Sequence, residues 1–137
     1  MRSDAKSPSM PPEPTIWIVD DDESVRRSLG RLIRSAGIPV VEFASARAFL
    51  DASPSGAGCV ILDLHMPDIN GLELLERLAE AQPMPPVIVV SANGDLDTIE
   101  SAIVGGATGF LVKPVEEDVL LDSVRDALDS LRPTEGR

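Results

Sequence analysis

The sequence predicts an α/β fold in which a five-stranded parallel sheet is covered on both faces by five helices. Short runs rich in Val and Ile alternate along the chain with longer stretches in which apolar residues recur every three or four positions. Most of the short runs are apolar throughout, as is typical of strands buried on both faces. Strands that alternate with helices in this way form parallel sheets.

Two adjacent patterns indicate the first strand and the first helix. The apolar run Ile16-Trp17-Ile18-Val19 predicts a buried strand. In the stretch that follows, residues at offsets 0, 4, 7, 8 and 11 share one helix face: Val25, Leu29, Leu32, Ile33 and Ala36. Asp22 is expected at the N-cap or in the first turn, where its charge suits the helix dipole, and Gly37 ends the helix.

The second strand and the second helix are shorter. The strand is predicted from Ile38 to Phe43, and the helix from Ala46 to Asp51 with Phe49 packing inward. The segment Pro54-Ser55-Gly56 breaks the chain before the third strand, Val60-Ile61-Leu62.

The third helix opens with a pair of residues that resembles a capping box. Asn70 would accept a hydrogen bond at the helix start, and Glu73 lies three positions later. Four residues are predicted to face the core: Leu72, Leu75, Leu78 and Ala79. The segment from Gln82 to Pro86 ends this helix.

Two further strand and helix pairs complete the pattern. The fourth strand is predicted from Val87 to Val90 and the fifth from Gly109 to Val112. The helix between them ends at Gly105-Gly106, and its buried residues are predicted to be Ile99, Ala102 and Ile103. The last helix carries its apolar face at offsets 0, 4, 7, 8 and 11: Leu120, Val124, Ala127, Leu128 and Leu131.

Length and composition divide the 137 residues into one domain and two tails. Residues 1–14 contain four prolines among polar residues and are predicted to be a disordered tail. The domain is expected over residues 15–131, and residues 132–137 form a C-terminal tail. No apolar stretch approaches the roughly 20 residues that span a bilayer, so a cytoplasmic protein without membrane contact is expected. The lone Cys59 begins an apolar strand and is expected to be a buried, inert thiol.

The charge balance argues against binding to nucleic acid. The net charge is −11. Charged residues in the first fourteen positions cancel, so the domain carries the whole excess. A strongly negative domain repels phosphate backbones, and no basic stripe offsets this repulsion.

Charged and polar residues follow four of the predicted strands. Asp20 and Asp21 come directly after the first strand, and Asp63 ends the third. Ser91 and Lys113 follow the fourth and fifth strands. Ligands bind at the carboxyl ends of the strands in open parallel sheets, so these groups are expected to form one site.

The residue types at these strand ends predict phosphoryl-transfer chemistry. Adjacent carboxylates on neighbouring strands supply the oxygen ligands that Mg²⁺ prefers and leave room for water and phosphate. A lysine ammonium and a serine hydroxyl can both donate to phosphoryl oxygens. A carboxylate can itself accept a phosphoryl group and become an aspartyl-phosphate.

Four sequence blocks resemble the receiver domains of two-component response regulators, in the order of that family and over residues 15–131. The blocks are Ile-Val-Asp20-Asp21, Leu62-Asp63-Leu64-His65-Met66-Pro67-Asp68-Ile69-Asn70-Gly71-Leu72, Val90-Ser91-Ala92, and Gly109-Phe110-Leu111-Val112-Lys113-Pro114. The similarity is greatest to receivers of the FixJ type, although a DNA-binding half like theirs is not expected within these 137 residues. It implies a flavodoxin-like, doubly wound sheet with strand order 2-1-3-4-5 and a cis Lys113–Pro114 peptide.

The resemblance also implies roles for individual residues. Asp63 is the phosphoacceptor, and Asp20, Asp21, Asp63 and the main-chain carbonyl of His65 bind Mg²⁺. Lys113 contacts the phosphoryl group. Ser91 and Phe110 form a switch pair, in which the hydroxyl moves toward the phosphoryl group and the aromatic ring turns inward behind it. In this family the positions of His65 and Asn93 influence how fast the phosphoryl group is lost.

The expected partners are a sensor histidine kinase and either an output protein or a second copy of the chain. The output partner would bind the face formed by the fourth helix, the fifth strand and the fifth helix. Two positions depart from the family pattern there. Val115 stands where Phe is common after Lys-Pro, and Val104 stands where Lys is usual, which predicts a more apolar face.

Three alternatives stand beside this interpretation. Asp20-Asp21-Asp22 contains the Asp-x-Asp pair of haloacid-dehalogenase-like phosphatases, in which Asp20 would be the nucleophile. That alternative leaves Asp63 unexplained, and such enzymes need a further acid pair after the lysine and usually a cap domain. The chain could also be a phosphate sink without output, or the regulatory piece of a larger regulator.

Overall fold

The computed structural model describes residues 14–66, 69–81 and 83–131. Five strands and five helices alternate along these residues. The strands are β1 Thr15–Val19, β2 Val40–Phe43, β3 Gly58–Asp63, β4 Val87–Ser91 and β5 Gly109–Val112. The helices are α1 Glu23–Ser35, α2 Ala46–Ala52, α3 Gly71–Ala79, α4 Leu96–Val104 and α5 Glu117–Asp129. The tails predicted at residues 1–14 and 132–137 lie outside the described residues except for Pro14.

The sheet confirms the predicted fold class. All four strand pairs are parallel, and the order across the sheet is β2-β1-β3-β4-β5. The central strand β3 is buried along its whole length, which explains why its sequence shows no polar alternation. Two apolar clusters cover the two faces of the sheet. Alternate residues of β3 divide between them, with Val60 and Leu62 in one cluster and Cys59 and Ile61 in the other.

Side chains at the N-caps of α1, α2, α3 and α4 accept hydrogen bonds from N–H groups of the first helical turn. The Asp22 carboxylate accepts a hydrogen bond from the N–H of Val25 at 3.1 Å, which confirms Asp22 as the N-cap of α1. The amide oxygen of Asn70 accepts from the N–H of Glu73 at 2.9 Å. Only half of the expected capping box forms, because the Glu73 carboxylate pairs with Arg77 at 3.3 Å.

The buried faces of α3 and α4 differ from the prediction. Leu72 is 37% exposed and Ala79 is exposed, whereas Leu74 is fully buried. Leu72 and Leu74 lie about 200° apart around the helix, so both cannot face the sheet. In α4, Ala102 is buried but Ile103 is 51% exposed.

Two further features bear on the sequence predictions. The strand β2 begins at Val40 and not at Ile38, because the chain leaves α1 through Gly37, whose φ is +82°. The Cys59 side chain is buried, and burial raises the pKa of its thiol to about 12, so it stays protonated at neutral pH. No helix in the described ranges is long and apolar enough to cross a membrane.

Candidate functional site

The strand register brings the predicted site residues to one edge of the sheet. Val19 at the end of β1 pairs with Leu62, so Asp20 lies beside Asp63. Asp63 in turn ends β3, and Ser91 ends β4. Ser91 pairs with Val112, the residue before Lys113. All four polar groups therefore follow or end neighbouring parallel strands at their carboxyl ends.

Three carboxylates converge at this edge. One oxygen from each of Asp20, Asp21 and Asp63 lies within 4.8 Å of the other two. Asp20 and Asp63 are 2% and 5% exposed, whereas Asp21 is exposed to solvent. Three closely spaced carboxylate oxygens repel one another and suit a hard divalent cation such as Mg²⁺. The exposed side leaves coordination positions for water and for a phosphoryl oxygen.

The ammonium group of Lys113 bridges two of the acids. Its Nζ lies 3.2 Å from Oδ2 of Asp20 and 3.7 Å from Oδ2 of Asp63. The Lys113 side chain is only 20% exposed, so its charge offsets the acids with little screening by water. The Lys113–Pro114 peptide is cis, as the family resemblance implied.

Backbone N–H groups orient the two buried acids. The N–H of Asp22 donates to Oδ1 of Asp20 at 2.9 Å, and the N–H of His65 donates to Oδ1 of Asp63 at 3.2 Å. The pKa of the Asp63 carboxyl is raised chiefly by burial. Repulsion by Asp20 and Asp21 raises this pKa further, while the His65 hydrogen bond and Lys113 lower it. The ionised form of Asp63 is therefore disfavoured, and a nearby cation would stabilise it.

The Ser91 hydroxyl connects the site to α4. Ser91 is completely buried, and its Oγ accepts a hydrogen bond from the N–H of Asn93 at 3.1 Å. The Asn93 side chain accepts from the N–H of Asp95 at 3.0 Å. The Asp95 carboxylate caps α4 through the N–H of Thr98 at 2.8 Å, and hydrogen bonds from the Thr98 side chain and from that N–H lower the Asp95 pKa. A displacement of Ser91 would therefore be transmitted through these hydrogen bonds to the first turn of α4.

Phe110 lies on the same side of the sheet as Ser91. It pairs with Val89 on β4, and Ser91 is two positions further along that strand. Residues two apart on a strand share a face. The half-buried Phe110 ring packs against the apolar cluster that contains Val89 and Ala102 of α4.

The structure also places residues that sequence patterns did not single out. Arg26 of α1 donates to the main-chain oxygen of Asp20 at 2.8 Å, and Glu42 of β2 pairs with Arg26 at 3.5 Å. One feature of the sequence indicates that another group approaches α1 closely. Gly30 interrupts the helical pattern of α1, and a glycine inside a helix often marks a close approach by another group.

This fold and this edge of acids, hydroxyl and lysine are those of a two-component receiver. The chain belongs to the response regulator receiver domain family, whose model matches residues 16–125. It is therefore a signalling module of the kind that interacts with histidine kinases and output domains.

Individual relatives place the chain more closely. It is 44% identical over 117 residues to the response regulator protein TmoT of Ectopseudomonas mendocina, covering 85% of this chain and 53% of TmoT. It is 40% identical over 119 residues to the transcriptional regulatory protein FixJ of Bradyrhizobium diazoefficiens, covering 86% of this chain and 58% of FixJ. The chain thus spans about half the length of the curated relatives that it matches.

Solved structures agree with these relatives. The crystal structure of FixJ-N superimposes with a TM-score of 0.80 at 35% identity, covering 90% of this chain and 99% of FixJ-N. The response regulator StyR also gives a TM-score of 0.80, at 40% identity, over 87% of this chain and 61% of StyR. The predicted similarity to FixJ-type receivers is confirmed.

Proposed function

We propose that Asp63 accepts a phosphoryl group from a sensor histidine kinase in a Mg²⁺-dependent reaction. The observation that carries the proposal is the position of the Asp63 carboxylate, which lies within 4.8 Å of two further acids and 3.7 Å from the Lys113 ammonium. A buried carboxylate whose charge is disfavoured does not stabilise the fold. It is a suitable nucleophile once a cation and a lysine offset the charge around it.

Each site residue has a role in this transfer. Asp20, Asp21, Asp63 and the main-chain carbonyl of His65 would hold Mg²⁺, which offsets charge on the phosphoryl oxygens. A carboxylate oxygen of Asp63 attacks phosphorus, and the bond from phosphorus to the donor imidazole nitrogen breaks. Lys113 then exchanges its contact with the Asp63 carboxylate for a phosphoryl oxygen. His65, two positions after Asp63, and Asn93, two positions after Ser91, would influence how long the aspartyl-phosphate survives.

Ser91 and Phe110 would convert this transfer into a change of conformation. Within the described ranges, the only hydrogen bond of the Ser91 hydroxyl is the one accepted from Asn93, so its own proton is available to a phosphoryl oxygen. Donation would draw Ser91 toward Asp63 and shift the hydrogen-bond chain that runs to the cap of α4. Space vacated behind Ser91 would let the Phe110 ring turn inward.

Acetyl phosphate and intact-mass measurement test the transfer. With Mg²⁺ present, the chain should gain the mass of one phosphoryl group, and excess EDTA should prevent the gain. The same incubation distinguishes the receiver function from the phosphatase alternative, in which Asp20 would be the nucleophile. Release of many equivalents of phosphate per chain, with no lasting adduct, would contradict the receiver function.

The output surface is the second part of the proposal. Leu96 and Val104 of α4 are 82% and 81% exposed, and Val112 of β5 is 47% exposed. Large apolar side chains on one face indicate a docking surface. We expect this face to bind a second copy or an output protein more tightly when Asp63 is phosphorylated.

Sedimentation velocity with beryllofluoride, a mimic of the aspartyl-phosphate, tests the self-association branch. The sedimentation coefficient should rise on activation, and Val104→Lys, which restores the residue usual in the family, should reduce the rise. Pull-down with the cognate target tests the other branch. If neither occurs and the amide exchange of residues 95–114 is unchanged on activation, the phosphate-sink alternative becomes the better account.

A further inference from the structure

Arg26 lies directly behind the tip of β1, where the first two acids of the site begin. Its side chain is 14% exposed, although Arg26 belongs to a helix that faces solvent on one side. Nη1 of Arg26 donates to the main-chain oxygen of Asp20 at 2.8 Å. A charged donor at this distance makes a strong hydrogen bond.

Glu42 on β2 fixes the position of the Arg26 guanidinium. Its Oε1 lies 3.5 Å from Nε of Arg26, and its Oε2 lies 2.9 Å from Nη1 of Arg34. The Glu42 side chain is 18% exposed, so this carboxylate is held between two arginines with little access to water. An isolated surface ion pair would not hold a side chain so firmly.

Gly30 provides the space for this arrangement. A Cβ atom at position 30 would lie only 2.6 Å from Oε2 of Glu42. Any side chain larger than hydrogen would therefore push the carboxylate away from Arg26 and Arg34. A glycine inside a helix is unfavourable relative to alanine, so its presence in α1 has a packing reason here.

The consequence for the site concerns Asp21. The N–H of Asp20 donates to the main-chain oxygen of Phe43 at 3.1 Å, and the C=O of Asp20 accepts from Arg26. That C=O belongs to the planar peptide that joins Asp20 to Asp21, so Arg26 sets the direction in which Asp21 leaves the strand. Within residues 14–66, 69–81 and 83–131, the Asp21 carboxylate itself has no hydrogen-bond or ion-pair partner, and its orientation depends on its backbone.

We propose that Arg26, held by Glu42, is a positioning residue that orients the Asp20–Asp21 peptide and thereby preorganises the Asp21 carboxylate for Mg²⁺. The inference rests on the proposed function, since it assumes that the acids bind a metal. Groups that orient metal ligands from the second layer commonly change metal affinity by about 10- to 100-fold.

Isothermal titration calorimetry with Mg²⁺ and no phosphodonor measures this effect directly. Arg26→Met keeps the length and packing of the side chain but removes its donors, and its Kd for Mg²⁺ should rise about tenfold. Arg26→Lys can still donate to the Asp20 carbonyl and should recover part of the affinity. Arg27→Met is the matched control, because Arg27 is exposed and pairs with Glu23 on its own helix, and the Kd of this variant for Mg²⁺ should be unchanged.

A rate measurement separates positioning from general damage. The initial rate of adduct formation with acetyl phosphate should require about tenfold more Mg²⁺ in Arg26→Met, yet reach the wild-type plateau when Mg²⁺ saturates. A disturbed fold would lower the plateau instead. If Arg26→Met does not fold, Gly30→Ala carries the test, since displacement of Glu42 should weaken Mg²⁺ binding even though alanine favours the helix.

The outcomes distinguish a failure of the metal-dependent function from a failure of the positioning role of Arg26. Absence of Mg²⁺ binding to the wild type would overturn the metal-dependent function and this inference with it. Normal binding to the wild type, with the same Kd for Arg26→Met or Gly30→Ala, would overturn the positioning role alone. A lowered plateau with no shift along the Mg²⁺ axis would likewise assign Arg26 to the fold and not to the metal site.

Discussion

Replacing Asp63 with Asn should abolish the phosphoryl adduct completely. An amide cannot attack phosphorus as a carboxylate does, and Asp63 ends the central strand β3 within 4.8 Å of two further acids and 3.7 Å from the Lys113 ammonium. Intact mass after incubation with acetyl phosphate and Mg²⁺ should show one added phosphoryl group in the wild type and none in Asp63→Asn. Asp51→Asn, on the exposed surface of α2, should retain the adduct. Persistence of the adduct in Asp63→Asn would show that another group is the acceptor.

The same variant should be more stable than the wild type when metal is removed, so loss of the adduct would not reflect unfolding. The folded-state pKa of Asp63 is raised above its unfolded value. The folded state therefore binds the Asp63 proton more tightly than the unfolded state does. The stabilisation by this proton is complete below the unfolded-state pKa of about 4. This stabilisation is lost as pH rises through the folded-state pKa, and above that pKa the ionised Asp63 carboxylate destabilises the wild type. Thermal melts in EDTA at pH 7 should give the higher midpoint for Asp63→Asn, and lower pH should narrow the difference.

The second large effect concerns the metal. Mg²⁺ should stabilise the wild type by mass action, by about 1.4 kcal/mol at ten times its Kd, which corresponds to about 5 °C in the melting temperature. Asp21→Ala should remove this shift, because it deletes an oxygen ligand and also relieves the repulsion that the cation would offset. Asp21 is exposed, so alanine leaves the core intact.

Asp22→Asn is the matched control for that experiment. It removes a neighbouring charge but keeps an oxygen that can cap α1, so the shift with Mg²⁺ should remain. Equal shifts in the wild type and Asp21→Ala would refute the role of Asp21. Loss of the shift in both variants would mean that Mg²⁺ responds to total charge and not to a defined ligand.

The predictions of the buried faces of α3 and α4 failed for one physical reason. In α3, five apolar residues crowd the segment from Leu72 to Ala79, and periodicity alone admits more than one buried face. The sheet selects the face that contains Leu74 and leaves Leu72 exposed. In α4, Ile103 fits the periodic pattern but the narrow contact with the sheet buries only Ala102 completely. Contact with another element, and not local preference, decides such faces.

By itself, the sequence determined the fold class and the set of residues at the strand ends. Asp20, Asp63, Ser91 and Lys113 end or follow apolar runs, which predicts that they lie at the carboxyl ends of parallel strands. Those ends meet at one edge of the sheet. This information is local, because a short segment suffices to show where a strand stops.

Only the tertiary structure decided which atoms face one another across that edge. The bridge from Lys113 to Asp20 and Asp63 joins three elements distant in sequence. The support that reaches the Asp20 carbonyl from Arg26 of α1 depends on Glu42 of the neighbouring strand β2. These contacts depend on strand register, helix rotation and side-chain rotamers together. Packing between elements determines the register, the rotation and the rotamers, so no single segment of the sequence predicts them.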